Sequence, residues 1–284
     1  MSTAAIPIVS SIAALADTSE AWIVDIWGVM HNGARAFAAA GEACRTFRAR
    51  GGFVVLLSNA PRPFSAVIGH MASLGVDSAA YDTGVTSGDA TRGMVEAWSG
   101  RKLLHIGPER DKGLFAGLDV TLVPAEDADA IVCSGLWDDT KETPADYADL
   151  FRSLAARSLP MICANPDLVV ERGDKLVYCA GALAAAYTQA GGEVRYAGKP
   201  YLPIYERTFA VIDALKGATV AKHRVLAIGD GVDTDLKGAH AAGLRSAFIA
   251  SGVHLPDGLD QGALATLFAS RPFRPIAALP ALAW

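Results

Sequence analysis

Three apolar runs, far apart in the chain, each deliver polar residues at their ends, and this feature constrains the fold most. AWIVDIW (21–27) carries Asp25, GFVVLLSNA (52–60) ends in Ser58 and Asn59, and RVLAIGDG (224–231) ends on Asp230. Runs with apolar residues on both alternating faces predict strands buried on two sides, as in a parallel sheet between helix layers. Helical patterns at 40–51, 201–217 and 234–244 carry a glycine where a C-cap is expected. RSAFIAS (245–251) reads as a further strand. Such alternation predicts an α/β, Rossmann-like, doubly wound parallel sheet. Ligands of such sheets bind beyond the carboxyl ends of the strands. Asp25, Ser58, Asn59 and Asp230 are all expected there.

The middle of the chain repeats the alternation. KLLHIG (102–107), DAIVCSGLW (129–137) and LPMICANPD (159–167) read as strands, and 146–158 and 181–192 as helices. This predicts an inserted α/β cap domain at 87–190, interrupting a core built from 1–86 and 191–284.

The 284 residues are 51% hydrophobic and 19% charged, enough to fill a core and unlike a disordered chain. A net charge of −5 gives no reason to expect nucleic acid as a partner. No apolar run approaches a membrane span, and the opening residues MSTAAIPIVSSIAALADTSEAW lack a basic region before an apolar one. No membrane partner, no signal peptide and a cytoplasmic location are therefore expected. Cys44, Cys133, Cys163 and Cys179 lack the paired spacing of a zinc site and read as buried free thiols.

Four short motifs carry candidate chemistry. Asp25 stands before a glycine-bounded loop, where a carboxylate can attack phosphorus or bind a metal. Ser58 and Asn59 offer a hydroxyl, an amide and backbone N–H groups to phosphate oxygens. Lys199, in AGKP, can neutralise a carboxylate and a phosphate together. GDGVDTDLKGA (229–239) crowds Asp230, Asp233 and Asp235, and acids so placed call for a hard cation such as Mg²⁺. Asp233 is expected to be a helix cap outside that group.

The order DxxGV, SN, GKP, GDxxxTDxxGA resembles the haloacid dehalogenase-like hydrolase superfamily. The inserted domain, with ANPD at 164–167, is similar to its class IIA branch of p-nitrophenyl phosphatase-like and sugar-phosphatase-like proteins. The resemblance runs over about residues 20–255. It implies that Asp25 forms an aspartyl-phosphate, with Mg²⁺ held by Asp25, the Trp27 carbonyl and Asp230, and with Asp235 as an outer or water-mediated ligand. It further implies that Ser58 and the Asn59 backbone hold the phosphoryl group and that Lys199 pairs with Asp25 and the phosphate. Trp137, Asp138 and Asp139 in GLWDD would help select the leaving group, and Asn165 and Asp167 would face the substrate cleft between core and cap. The expected substrate is a small phosphorylated metabolite, and copies would associate through their caps.

One position departs from the family pattern. Phosphatases of the superfamily carry a second Asp two residues after the nucleophile, which protonates the leaving oxygen. Here it is Trp27, which cannot take a proton. Loss of a positioned acid/base costs about 10²–10⁴ in rate. Three readings follow: a slow phosphatase in which His31 or a water moves the proton, a binding protein for a phosphorylated metabolite, or non-phosphate chemistry of the same superfamily.

Overall fold

The structure is a computed structural model that describes residues 5–172, 175–250, 254–255 and 258–284. Among these residues the strands, in chain order, are β1 (Ala21–Asp25), β2 (Phe53–Ser58), β3 (Thr83–Thr86), β4 (Lys102–Ile106), β5 (Thr121–Leu122), β6 (Ala130–Cys133), β7 (Met161–Cys163), β8 (Val169–Arg172), β9 (Lys175–Tyr178), β10 (Val194–Tyr196), β11 (Val225–Gly229), β12 (Arg245–Ile249) and β13 (Ala277–Leu279). The expected strand at 245–251 ends at Ile249, and Ser251 lies outside the described residues.

The chain forms two compact units. The first comprises Met1–Ser58, Ile68–Val85 and Tyr205–Trp284. Its six-stranded sheet has the order β13-β12-β11-β1-β2-β3. β1 lies parallel to both β2 and β11, and β11, β12 and β13 continue in parallel. All five residues of β1 and all five of β11 are buried. That is why these runs lack polar alternation: both faces are covered. The helix Ala38–Ala49 packs Phe47 flat on Trp22 of β1, with ring centroids 4.0 Å apart and planes 2° from parallel. A satellite cluster around Val232, Leu236, Phe248 and Phe268 holds the end of β11 against β12 and the helix Gln261–Leu267.

The second unit comprises Asn59–Val67 and Thr86–Ile204. Its five-stranded sheet, β10-β7-β6-β4-β5, is parallel throughout. The helices Ala148–Ala156 and Ala180–Gln189 bury Phe151, Leu154, Leu183 and Tyr187 in the same cluster as Ile106, Ile131 and Met161. β8 and β9 add an antiparallel hairpin. From the sequence the insert ends at 190, whereas β10 at Val194–Tyr196 pairs with β7 and extends this unit's sheet beyond that point. All four cysteines are free and buried. Among the described residues no helix is long and apolar enough to cross a membrane.

Candidate active site

Asp25 is the last residue of β1, carried there by four apolar residues that the sheet buries. Its Oδ1 accepts the N–H of Ile26 at 2.8 Å. β2 runs alongside in register, Asp25 opposite Leu57, so Ser58 lies one step further along. On the other side β11 ends at Gly229, and Asp230 follows. The next five residues, Val232–Leu236, form a single π-helical turn rather than the α-helix expected from 234 onward; the α-helix starts at Lys237. Such turns recur at functional sites because they re-aim a side chain. Here the turn brings Asp235 back, so that its Oδ2 accepts the Gly231 N–H at 3.0 Å. The Tyr205 hydroxyl donates to the Asp235 carbonyl at 3.2 Å and steadies the turn.

The result is a cluster in which one oxygen each from Asp25, Asp230 and Asp235 lies within 4.8 Å of the others. Asp25 and Asp235 are buried. Carboxylates this close repel unless a cation stands among them. All the ligand atoms are oxygens, with no thiolate or imidazole, so the set suits a hard ion such as Mg²⁺ and not zinc. Gly28, at φ +83°, borders the cluster, and a Cβ there would overlap the Asp230 carboxylate. Asp233 stands apart, as expected, although not as a helix cap: it pairs with Arg271 at 2.7 Å on the surface.

The Trp27 side chain is 42% exposed, and its indole meets the edge of the His31 ring, centroids 5.4 Å apart. His31 is buried and holds the turn from two sides. Its Nδ1 accepts the Gly33 N–H at 3.0 Å, and its carbonyl accepts the Gly28 N–H at 2.8 Å. Burial, and secondarily the neighbouring His70 ring, push the imidazole pKa below its usual value. With Nδ1 an acceptor, the ring proton sits on Nε2.

In the second unit Asn59 is a clasp, a role its sequence position did not signal. Its Oδ1 accepts the Lys199 N–H at 2.7 Å. Its Nδ2 donates to the Lys199 carbonyl at 3.1 Å and to Asp167 Oδ1 at 2.9 Å. The amide side chain is thereby occupied, which leaves ligand binding by this residue to its backbone. Lys199 is 3% exposed. Gly198 explains the small residue before it: a side chain there would collide with Asn59, Pro166 and Ser87. Asn165 accepts the Asp167 N–H at 3.0 Å, closing the ANPD turn.

The GLWDD segment is more structural than expected. The Trp137 N–H donates to the Tyr147 hydroxyl at 2.8 Å and its indole N–H to the His105 carbonyl at 3.3 Å. Asp138 accepts from Thr140 and Lys141, and these bonds, Lys141 foremost, hold its carboxyl down at about 2. Asp139 pairs with Arg110 at 2.5 Å.

Residues 22–121 match a family model described as haloacid dehalogenase-like hydrolase, and residues 196–272 match a second, HAD-hydrolase-like model. A hydrolase of the haloacid dehalogenase-like family from Brucella suis 1330 is 45% identical, with 96% of this chain and 99% of that chain covered and a TM-score of 0.86. The chain belongs to the haloacid dehalogenase-like hydrolase family. A D-glycerol 3-phosphate phosphatase of Mycobacterium tuberculosis (strain ATCC 25618 / H37Rv) is 29% identical over 249 residues, covering 84% of this chain. The chain spans 65% of that relative's length. The structure of a glycerol phosphate phosphatase from Mycobacterium tuberculosis in complex with magnesium is 25% identical, covers 93% of this chain and 75% of its own, and has a TM-score of 0.72.

Proposed function

We propose that this chain is a magnesium-dependent phosphoric monoester hydrolase acting on small phosphorylated metabolites. The Asp25–Asp230–Asp235 cluster carries this reading. Asp25 attacks phosphorus, the ester oxygen departs with its bonding pair, and an aspartyl-phosphate forms; water then cleaves it and restores the carboxylate. Mg²⁺ held by Asp25, Asp230 and the Trp27 carbonyl, with Asp235 in an outer position, would offset the charge of an anionic phosphate meeting a carboxylate. The Ser58 hydroxyl and the Asn59 N–H are assigned to the phosphoryl oxygens, and Lys199 to the phosphate and Asp25. Trp137 and Asn165 are assigned to the leaving group, while Asp138 and Asp167 hold local turns. The names of the Mycobacterium tuberculosis relatives, a phosphatase of a small polyol phosphate and one bound to magnesium, support the substrate class and the ion.

Trp27 supplies no proton to the departing oxygen. Any such role for His31 narrows to Nε2, since Nδ1 is occupied. Turnover of p-nitrophenyl phosphate, whose phenolate leaves unprotonated, is therefore expected to exceed that of an alkyl phosphate such as glycerol 3-phosphate by about 10²–10⁴. Asp25→Asn is expected to lower turnover with Mg²⁺ by about 10³ or more. Equal rates on the two esters would remove the missing-acid account. Full activity in the Asp25→Asn protein would remove the nucleophile. The exposed indole at Trp27 favours one second reading, a binding protein. It prevails if neither ester turns over while glycerol 3-phosphate with Mg²⁺ raises the melting temperature.

A further inference from the structure

The turn at Val232–Leu236 closes through bonds one residue longer than those of an α-helix. The Leu236 N–H donates to the Gly231 carbonyl at 3.1 Å, and the Lys237 N–H reaches back to the Val232 carbonyl. Such turns are rare, so what holds this one in shape matters. Asp235 is fixed at two points. Its carboxylate accepts the Gly231 N–H, and it lies so close to Gly229 that a β-carbon there would fall 2.3 Å from its Cγ. Its carbonyl accepts the Tyr205 hydroxyl at 3.2 Å. Tyr205 belongs to the helix Leu202–Lys216 and is 1% exposed. The end of its ring lies over Gly238, where a β-carbon would come within 2.4 Å of the hydroxyl oxygen. Burial and this close fit keep the hydroxyl aimed at the turn. A second tie, Asp233 to Arg271, reaches the same turn from the solvent side, with 67% and 25% of the two side chains exposed. A pair this open to water is screened and adds little. Tyr205 is the buried tie, and it shares the first unit with the turn and all three acids.

The placement of Asp235 bears on which ion the cluster prefers. Mg²⁺ demands a near-ideal octahedron of oxygens at about 2.0–2.1 Å, whereas Ca²⁺ accepts about six to eight oxygens at about 2.3–2.6 Å in looser arrangements. An acid held at both its backbone and its carboxylate favours the ion with the stricter demand. An acid free to drift weakens the smaller ion most, because the larger one tolerates the displacement. Partners that orient the residues around a metal are typically worth about 10–100-fold in its affinity.

We propose that Tyr205 is a positioning residue that, acting through Asp235, tunes the carboxylate cluster toward Mg²⁺ over Ca²⁺. The inference rests on the magnesium reading above, and its test needs no turnover. Calorimetric titrations of Mg²⁺ and of Ca²⁺ into the metal-stripped whole protein give both dissociation constants for wild type, Tyr205→Phe and Arg271→Ala. Tyr205→Phe is expected to weaken Mg²⁺ binding about tenfold or more and Ca²⁺ binding about threefold or less, so that the ratio of the two constants shifts by about threefold or more. Arg271→Ala is expected to keep that ratio within about twofold of wild type. A general loosening of the fold weakens both ions alike and leaves the ratio unmoved. Should Tyr205→Phe fail to fold, Gly238→Ala, whose β-carbon displaces the hydroxyl, carries the same expectations. Equal weakening of both ions, or none, in the folded variant overturns the proposal and leaves the magnesium reading standing. A shift in Arg271→Ala as large as that in Tyr205→Phe overturns the assignment to Tyr205. A wild type that binds neither ion overturns the magnesium reading and this inference together.

Discussion

The missing side chain at position 28 lets Asp230 occupy its place beside Asp25. Gly28→Ala forces a β-carbon into the Asp230 carboxylate at a backbone φ of +83°. The change is expected to cost about 1–3 kcal/mol, as for a side chain at strained φ, and to abolish the rise in melting temperature on adding Mg²⁺. Thermal melts of both proteins with and without the ion measure this. At this scale the sequence was informative where chemistry is local. Asp25 and Asp230 announce themselves as acids ending apolar runs, and Asp235 by its spacing from Asp230. The Asn59 clasp was not legible, because its partners lie 108 and 140 residues away and backbone groups supply two of its three bonds. The turn-holding contacts of His31 were also hidden, since they depend on how the glycine-rich loop folds back.

Among elements, β4 carries the clearest electrostatic signature. His105 is buried near its end, edge-on to Phe115 with centroids 5.1 Å apart, and its pKa falls from 6.5 to about 4. The unfolded chain binds a proton here at a higher pH than the native protein does. The stability from this group is therefore complete above about pH 6.5 and is lost as the pH falls toward 4, amounting to about 3 kcal/mol. His105→Gln is expected to flatten the fall in denaturation midpoint between pH 6.5 and 4, read by urea titrations across that range. The long buried strands and amphipathic helices were legible because burial on both faces, or on one stripe, writes a pattern. β5, with two residues, and β10, with three, are too short to show a period. The turn at Val232–Leu236 runs directly into the helix that begins at Lys237, so only its geometry distinguishes it.

For the whole molecule, the carboxylate cluster belongs entirely to the unit that includes β1 and β11. Mg²⁺ at about 100 times its dissociation constant should stabilise that unit by about 2.7 kcal/mol, a rise of several degrees in its calorimetric transition. Asp230→Asn should remove most of that rise. β1 and β11, though about 200 residues apart in sequence, meet in one register, Ala21 opposite Val225 through Val24 opposite Ile228. A slip of one residue would turn Asp25 to the opposite face of the sheet and leave Asp230 behind. The three acids thus work as a proofreader of assembly: a misthreaded sheet holds no grip for a divalent ion, and only the correctly aligned one is rewarded by it.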